Sequence, residues 1–207
     1  MRLRKGLFAL AMVATFSQPV CDGETEGEAK QTIESPSPDG QFAFRYTAES
    51  EASGKTFDLI GRQSGKALAR VAESGVDPGP SERFHMTVLW RPDSKAFALT
   101  AKLWKRGSYV AVYLRDGANF REVNLPELLA DIPDKVKKGK KFPHIVELNS
   151  QSATRWRKDG SLVVEIENIQ DGDGSTITAN RTTVLGFTPT GQAKVLKSTI
   201  KFATETP

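Results

Sequence analysis

The sequence predicts an all-β fold of about three four-stranded antiparallel units with one short inserted helix, and three observations carry that reading. One kind of turn recurs, as Ser37-Pro38-Asp39-Gly40, Arg91-Pro92-Asp93-Ser94 and Arg157-Lys158-Asp159-Gly160, the last two directly after Trp90 and Trp156. Each turn leads into an alternating or continuous apolar run, Phe42 to Tyr46, Ala96 to Leu103 and Leu162 to Ile166, as strands do. Apolar residues at helical spacing appear in Asn124 to Lys138, between the second and third runs.

The turns follow from local chemistry. Proline has its φ preset for the second position of a type I turn, aspartate bonds backbone close by, and glycine or serine closes the corner. Each turn therefore joins two antiparallel strands. In the second unit the strands are expected at His85 to Trp90, Lys95 to Lys102, Tyr109 to Leu114 and Phe120 to Val123. In the third they are expected at Ser152 to Trp156, Ser161 to Ile166, Thr182 to Phe187 and Ala193 to Thr199. The first unit shows Gln41 to Tyr46, Thr56 to Ile60 and Ala67 to Val71, with its opening strand missing or lying in the segment before the turn. Trp90 and Trp156 are expected at equivalent, largely buried positions, each packing on its own unit. For the helix, Asn124 is the expected cap, Leu125, Leu128, Leu129 and Ile132 the buried stripe, and Gly139 the stop, with Pro133 a point of early termination.

Four antiparallel strands per repeat, with a tryptophan ahead of an Asp-containing turn, resemble the TolB-like and related WD-type β-propeller repeats over most of residues 35 to 200. The resemblance implies blade-like units and a role among scaffolds, peptide binders or propeller domains of peptidases. The spacing departs from that pattern. Asp39 to Asp93 spans 54 residues and Asp93 to Asp159 spans 66, against about 40–45 for a regular blade, and three units are fewer than a closed propeller uses. The expectation is an open propeller-like arrangement or a sandwich.

The N-terminus reads as a targeting segment: Arg2, Arg4 and Lys5 precede the apolar run Leu7 to Phe16, giving a signal peptide over residues 1–17, extended to 20 if Cys21 is lipidated. Ten apolar residues cover only about 15 Å as a helix, too short for a bilayer core of about 30 Å. No transmembrane helix is expected in the mature chain. Cys21, the sole cysteine, excludes an intrachain disulfide and stands where a bacterial lipoprotein carries its anchor. Residues 22–36 read as an acidic linker and 37–207 as a single β-repeat domain. Removing the leader takes away three of the 29 basic residues and none of the 25 acidic ones, so the mature chain is 26 against 25, a net +1. A near-neutral chain argues against nucleic acid as a partner.

No Gly-x-Ser-x-Gly elbow, phosphate-binding glycine loop or HExxH pattern is present, and no cofactor is expected. Asp171 and Asp173 form the one close carboxylate pair in a loop, a candidate metal site, although the simpler reading is a hairpin turn joining Ile166 to Ile177, since Asp and Gly are what such turns use. The recurrence of Asp39, Asp93 and Asp159 at equivalent turns makes them structural. Two binding features remain: Lys135, Lys137, Lys138, Lys140 and Lys141 with His144 just after, and the hairpin tip at Trp104 with Tyr109 beside it. They point to an exported, non-catalytic binding or scaffold protein of the periplasm or cell surface, whose partner is another protein or an anionic envelope component. The alternative is an enzyme or accessory domain of a hydrolase or peptidase system.

Overall fold

The structure is a computed structural model that describes residues 30–48, 55–74, 85–104, 107–188 and 190–206. The leader, Cys21 and the start of the linker lie outside the described residues. Three sheets follow one another, each a four-stranded antiparallel meander. The first is β1 (Lys30–Glu34), β2 (Phe42–Ala48), β3 (Lys55–Gly61) and β4 (Ala67–Ser74). The second is β5 (His85–Trp90), β6 (Ala96–Trp104), β7 (Gly107–Asp116) and β8 (Asn119–Glu122). The third is β9 (His144–Trp156), β10 (Leu162–Gly172), β11 (Ser175–Phe187) and β12 (Ala193–Glu205). The opening strand of the first unit is thus β1, inside the segment expected to be linker, where it pairs with β2. The strands of the third unit run much longer than their apolar runs suggested, and the β10–β11 hairpin turns at Asp173 and Gly174.

The middle sheet is buried on both faces. Alternation along β6 and β7 sends Phe97, Leu99, Ala111 and Tyr113 to a cluster with Phe42, Phe44, Phe57 and Leu59 of the first sheet. The intervening Ala98, Val110 and Val112 go to a second cluster with Leu162, Val164, Ile166 and Leu185 of the third sheet. A strand covered on both sides has no polar row to show, which is why Ala96–Ala101 and Tyr109–Leu114 are nearly unbroken apolar runs. The outer sheets keep one polar face each. In the first sheet that face carries Asp58, only 6% exposed, with Arg45 at 3.7 Å and Arg70 at 3.1 Å across adjacent strands.

The three turns are built alike. The amides of Gly40, Ser94 and Gly160 donate to the carbonyls of Ser37, Arg91 and Arg157 at 2.8, 2.9 and 3.0 Å. In every turn the aspartate Oδ1 accepts from the amide two residues on, Gln41, Lys95 or Ser161, each at 3.0 Å. The closing residue lies in the left-handed region, φ 71° at Gly40, 58° at Ser94 and 77° at Gly160, a conformation unfavourable for serine. Ser94 has a compensating contact: its buried hydroxyl accepts the Asp39 amide of the first unit at 3.0 Å.

The two tryptophans pack on their own units, Trp90 against Phe97 and Phe120 and Trp156 against Phe187, and beyond expectation each also reaches the unit before it. Trp90 Nε1 donates to the Ser35 carbonyl at 2.9 Å, and Trp156 Nε1 donates to the Leu89 carbonyl at 2.9 Å. Counted from the turn aspartates, Ser35 and Leu89 are the same position of successive units. The Trp90 ring lies among Phe42 and Phe44 of the first unit and Phe97 and Phe120 of its own. Both rings are half-buried, because a residue at a seam keeps one rim toward solvent.

The inserted helix is also shorter than predicted, covering only α1 (Asp134–Lys137). Asn124 does not cap it and instead forms a bridge with Gln192. The intervening chain, residues 125–133, forms neither helix nor strand, and Leu128, Ala130 and Ile132 enter the second core cluster at a spacing of two. Pro126 and Pro133 push the residues before them out of helical geometry. Gln151 and Asn149 of β9 then hold that path, through the Leu128 carbonyl at 3.1 Å and the Ala130 amide at 2.7 Å.

Replacing Trp90 or Trp156 by Phe should cost about 1 kcal/mol, the net value of one hydrogen bond. Replacement by Ala should cost about 3 kcal/mol. Urea denaturation checks both, and Ala variants as stable as the parent would refute the indole's role at the seam.

Candidate functional site

The connector from α1 to β9 carries the lysines and is pinned at both ends. Val136 and Phe142 pack against the second core cluster. The Lys141 amide donates to Asp173 Oδ2 at 2.8 Å, and Lys140 Nζ reaches Ser175 Oγ at 2.9 Å. Gly172 permits this approach, since a Cβ there would run into the Lys141 carbonyl oxygen and come within 2.7 Å of Phe142 Cα. On this anchored chain Lys135, Lys138, Lys140, Lys141 and His144 are exposed. Lys137 is half-buried, with Nζ 3.8 Å from Asp134 Oδ1. The structure therefore brings the lysines together on one connector, with His144 at its end, opposite Asp171 in the β9–β10 register.

Asp171 and Asp173 have separate work. Asp171 Oδ1 accepts the Thr176 hydroxyl at 2.6 Å, while Asp173 occupies the two-residue turn at φ 45° and holds Lys141. Among the described residues no three His, Cys, Asp or Glu side chains gather as a metal site. The pair acts as a hairpin tip that docks the connector.

The second feature from the sequence is divided. Trp104 ends β6 opposite Gly107, and its side chain lies outside the described residues, as do Lys105 and Arg106. Tyr109 is half-buried against the first core cluster, and burial together with the Glu122 carboxylate raises its hydroxyl above the usual phenol range. Tyr113 is raised further by burial and by Glu122, whose Oε2 lies 3.3 Å from its hydroxyl. These phenols are neutral packing groups.

A basic row that the sequence reading missed runs along β12, where Lys194, Lys197 and Lys201 share one face with Thr199. The signal was present as lysines recurring along a strand whose Val195, Ile200 and Phe202 fall on the other face, but the run was read as a short closing strand ending at Thr199.

No family model matches the chain, and no curated protein matches it. Among solved structures the chain matches a crystal structure of the uncharacterized protein lmo1340 from Listeria monocytogenes EGD-e, at 13% identity and a TM-score of 0.31. The match covers 82% of this chain and 52% of the other, so the chain spans about half of that protein's length. A likeness of that size transfers neither fold nor function.

The turn aspartates show what the carboxylates do here. All three are held below the ordinary carboxylate range. At Asp39 burial opposes this and is outweighed by hydrogen bonds from Ser37, Gln41 and Ser94. At Asp93 burial is outweighed by Arg91 and the Lys95 amide. At Asp159 the hydroxyl and amide of Ser161 lower it. A depressed folded-state value means that the stabilisation is complete above the unfolded value of about 3.9 and is lost as pH falls through the folded one. Urea midpoints should therefore hold down to about pH 4 and fall below it. The combined Asp39→Asn, Asp93→Asn, Asp159→Asn variant should be less stable near neutrality and show a shallower acid decline; an unchanged acid limb would refute the assignment.

Proposed function

We propose that this chain is an exported, non-catalytic binding or scaffold protein that meets an anionic surface of the cell envelope through the connector bearing Lys135, Lys137, Lys138, Lys140 and Lys141. The observation that carries the reading is the anchoring: a lysine-rich segment pinned by Asp173, Ser175 and the core presents its charges from a fixed place. A fixed array loses less conformational freedom on contact than a loose tail. Near an anionic membrane each lysine contributes about 1 kcal/mol, so the cluster supports reversible recruitment. The basic, then apolar, N-terminus supports export. A lipid on Cys21 would supply the second signal that stable anchoring needs. The non-catalytic part of the reading rests on the structural duties of the aspartates and tyrosines.

The parent protein should bind phosphatidylglycerol vesicles and leave phosphatidylcholine vesicles alone, with binding weakening steeply as salt shortens the screening length to about 8 Å near 0.15 M. Changing the five lysines to Gln should abolish this binding and cost about 1 kcal/mol of stability, the net value of the Lys140 bond to Ser175, with the fold retained. Equal vesicle binding by parent and variant at low salt would overturn the proposal. Intact-mass measurement of the native protein, showing loss of at least residues 1–17 or a diacylglyceryl adduct on Cys21, checks export; a retained leader on soluble cytoplasmic protein would refute it.

A further inference from the structure

The free side of β12 differs from every other sheet edge among the described residues. β1, β5 and β8 are short, at 5, 6 and 4 residues. β4 lies near β8, and its Val71 carbonyl is 3.4 Å from the Tyr113 hydroxyl. β9 is covered by the middle sheet: Gln151 accepts the Val110 amide with its side chain and the Ser108 hydroxyl with its carbonyl, and the Ala153 amide reaches Thr100 Oγ1. β12 is 13 residues long and, among the described residues, pairs with β11 alone.

Its two rows of side chains are chemically distinct. Register with β11 puts Lys194, Lys197, Thr199 and Lys201 on the face turned away from the core, where Leu196, at the β-bulge between Val195 and Lys197, lies over Gly186 as the one large apolar side chain among them. Val195, Ile200 and Phe202 lie opposite Leu185, Arg181 and Ala179, on the core-facing side. Val195 is 46% and Phe202 36% exposed, so the apolar row extends past the cover of the middle sheet. A strand laid beside β12 would carry its own side chains in the same two rows.

We propose that β12 is a docking edge for an extended peptide strand from an acidic partner, with carboxylates on alternate residues to meet the lysine row and apolar side chains between them to meet the Phe202 row. Backbone pairing along the edge supplies affinity and the two rows supply selection. The lysines also disfavour the self-pairing of two copies centred on Thr199, which sets Lys197 opposite Lys201, since like charges directly opposite are destabilising. The only acidic residue on the strand is Glu205, so the complement has to come from the partner.

The test uses the full chain and two peptides of identical composition, one alternating glutamate with valine and one with the two segregated into blocks. Fluorescence anisotropy should show the alternating peptide binding at least about tenfold more tightly than the block peptide, and Lys194→Gln, Lys197→Gln, Lys201→Gln should weaken it by about tenfold through loss of three opposite-charge pairs. The alternating peptide should also slow amide exchange in β12. Equal affinity for the two peptides would reduce the edge to a charge effect and overturn the proposal, as would no binding of either, or an unaffected triple variant. The variant with Gln at 135, 137, 138, 140 and 141 should bind the peptide as the parent does, so this edge and the connector surface fail separately.

Discussion

Each later unit reaches back with an indole to the unit before it, and the stacking of the three sheets depends on that contact. The bonds from Trp90 to Ser35 and from Trp156 to Leu89 are equal in length and join equivalent positions. An indole suits the job because it joins a large apolar face to one donor at its rim. The face fills the seam between sheets, and the donor finds a carbonyl at the end of the preceding unit's first strand. Arg91 adds a third element, its guanidinium 5.7 Å from the Trp156 ring centre while its Nε holds Asp93 at 2.7 Å. Turn, seam and ring are thus one repeated assembly, and the Ser94 bond to the Asp39 amide ties adjacent turns directly.

The middle sheet is the consequence. Once both seams close, β6 and β7 have neighbours on each side, and the residues of both rows must be small or apolar. The second seam is also the more polar one, because Gln151 inserts a side-chain amide that serves the Val110 amide and the Leu128 carbonyl together. That amide fixes the connector against β9 and so fixes where the lysines emerge. Gln151, in the middle of β9, is in this sense part of the candidate site although it lies outside the lysine segment.

Much of this was legible in the chain. Asp39, Asp93 and Asp159 announced three equivalent turns, and the apolar runs after them announced the strands. The inter-unit role of the tryptophans was not legible, since periodicity tells which face of a strand is apolar and says nothing about which sheet covers it. The connector misled for a related reason: Leu125, Leu128, Leu129 and Ile132 fit a helix by spacing, yet Leu128, Ala130 and Ile132 fit a strand equally, and two prolines favour the extended choice. The lysines of β12 were hidden by a strand boundary placed too early, at Thr199, which cut Lys201 and Phe202 from the pattern. Of the predicted site, the lysine connector stays together, the Asp171 and Asp173 pair becomes a docking tip, and Tyr109 belongs to the core.

Three units can stand without closing into a ring because the two end faces carry different chemistry from the seams. At the first unit the tryptophan position is taken by Pro36, so no indole projects toward an earlier neighbour. Its outer face carries the Arg45, Asp58 and Arg70 ladder instead; Asp58 is already buried between the two arginines, and a further sheet there would take their guanidinium groups out of water as well. At the third unit the outer face holds Glu165, Asn180, Thr182, Thr199 and Lys201 in register, again a face that water covers more cheaply than protein does. Terminal repeats with a polar outer face are what a finite stack requires. Polar end faces of this kind discourage a further sheet on either side, and among the described residues they leave one long free edge, β12.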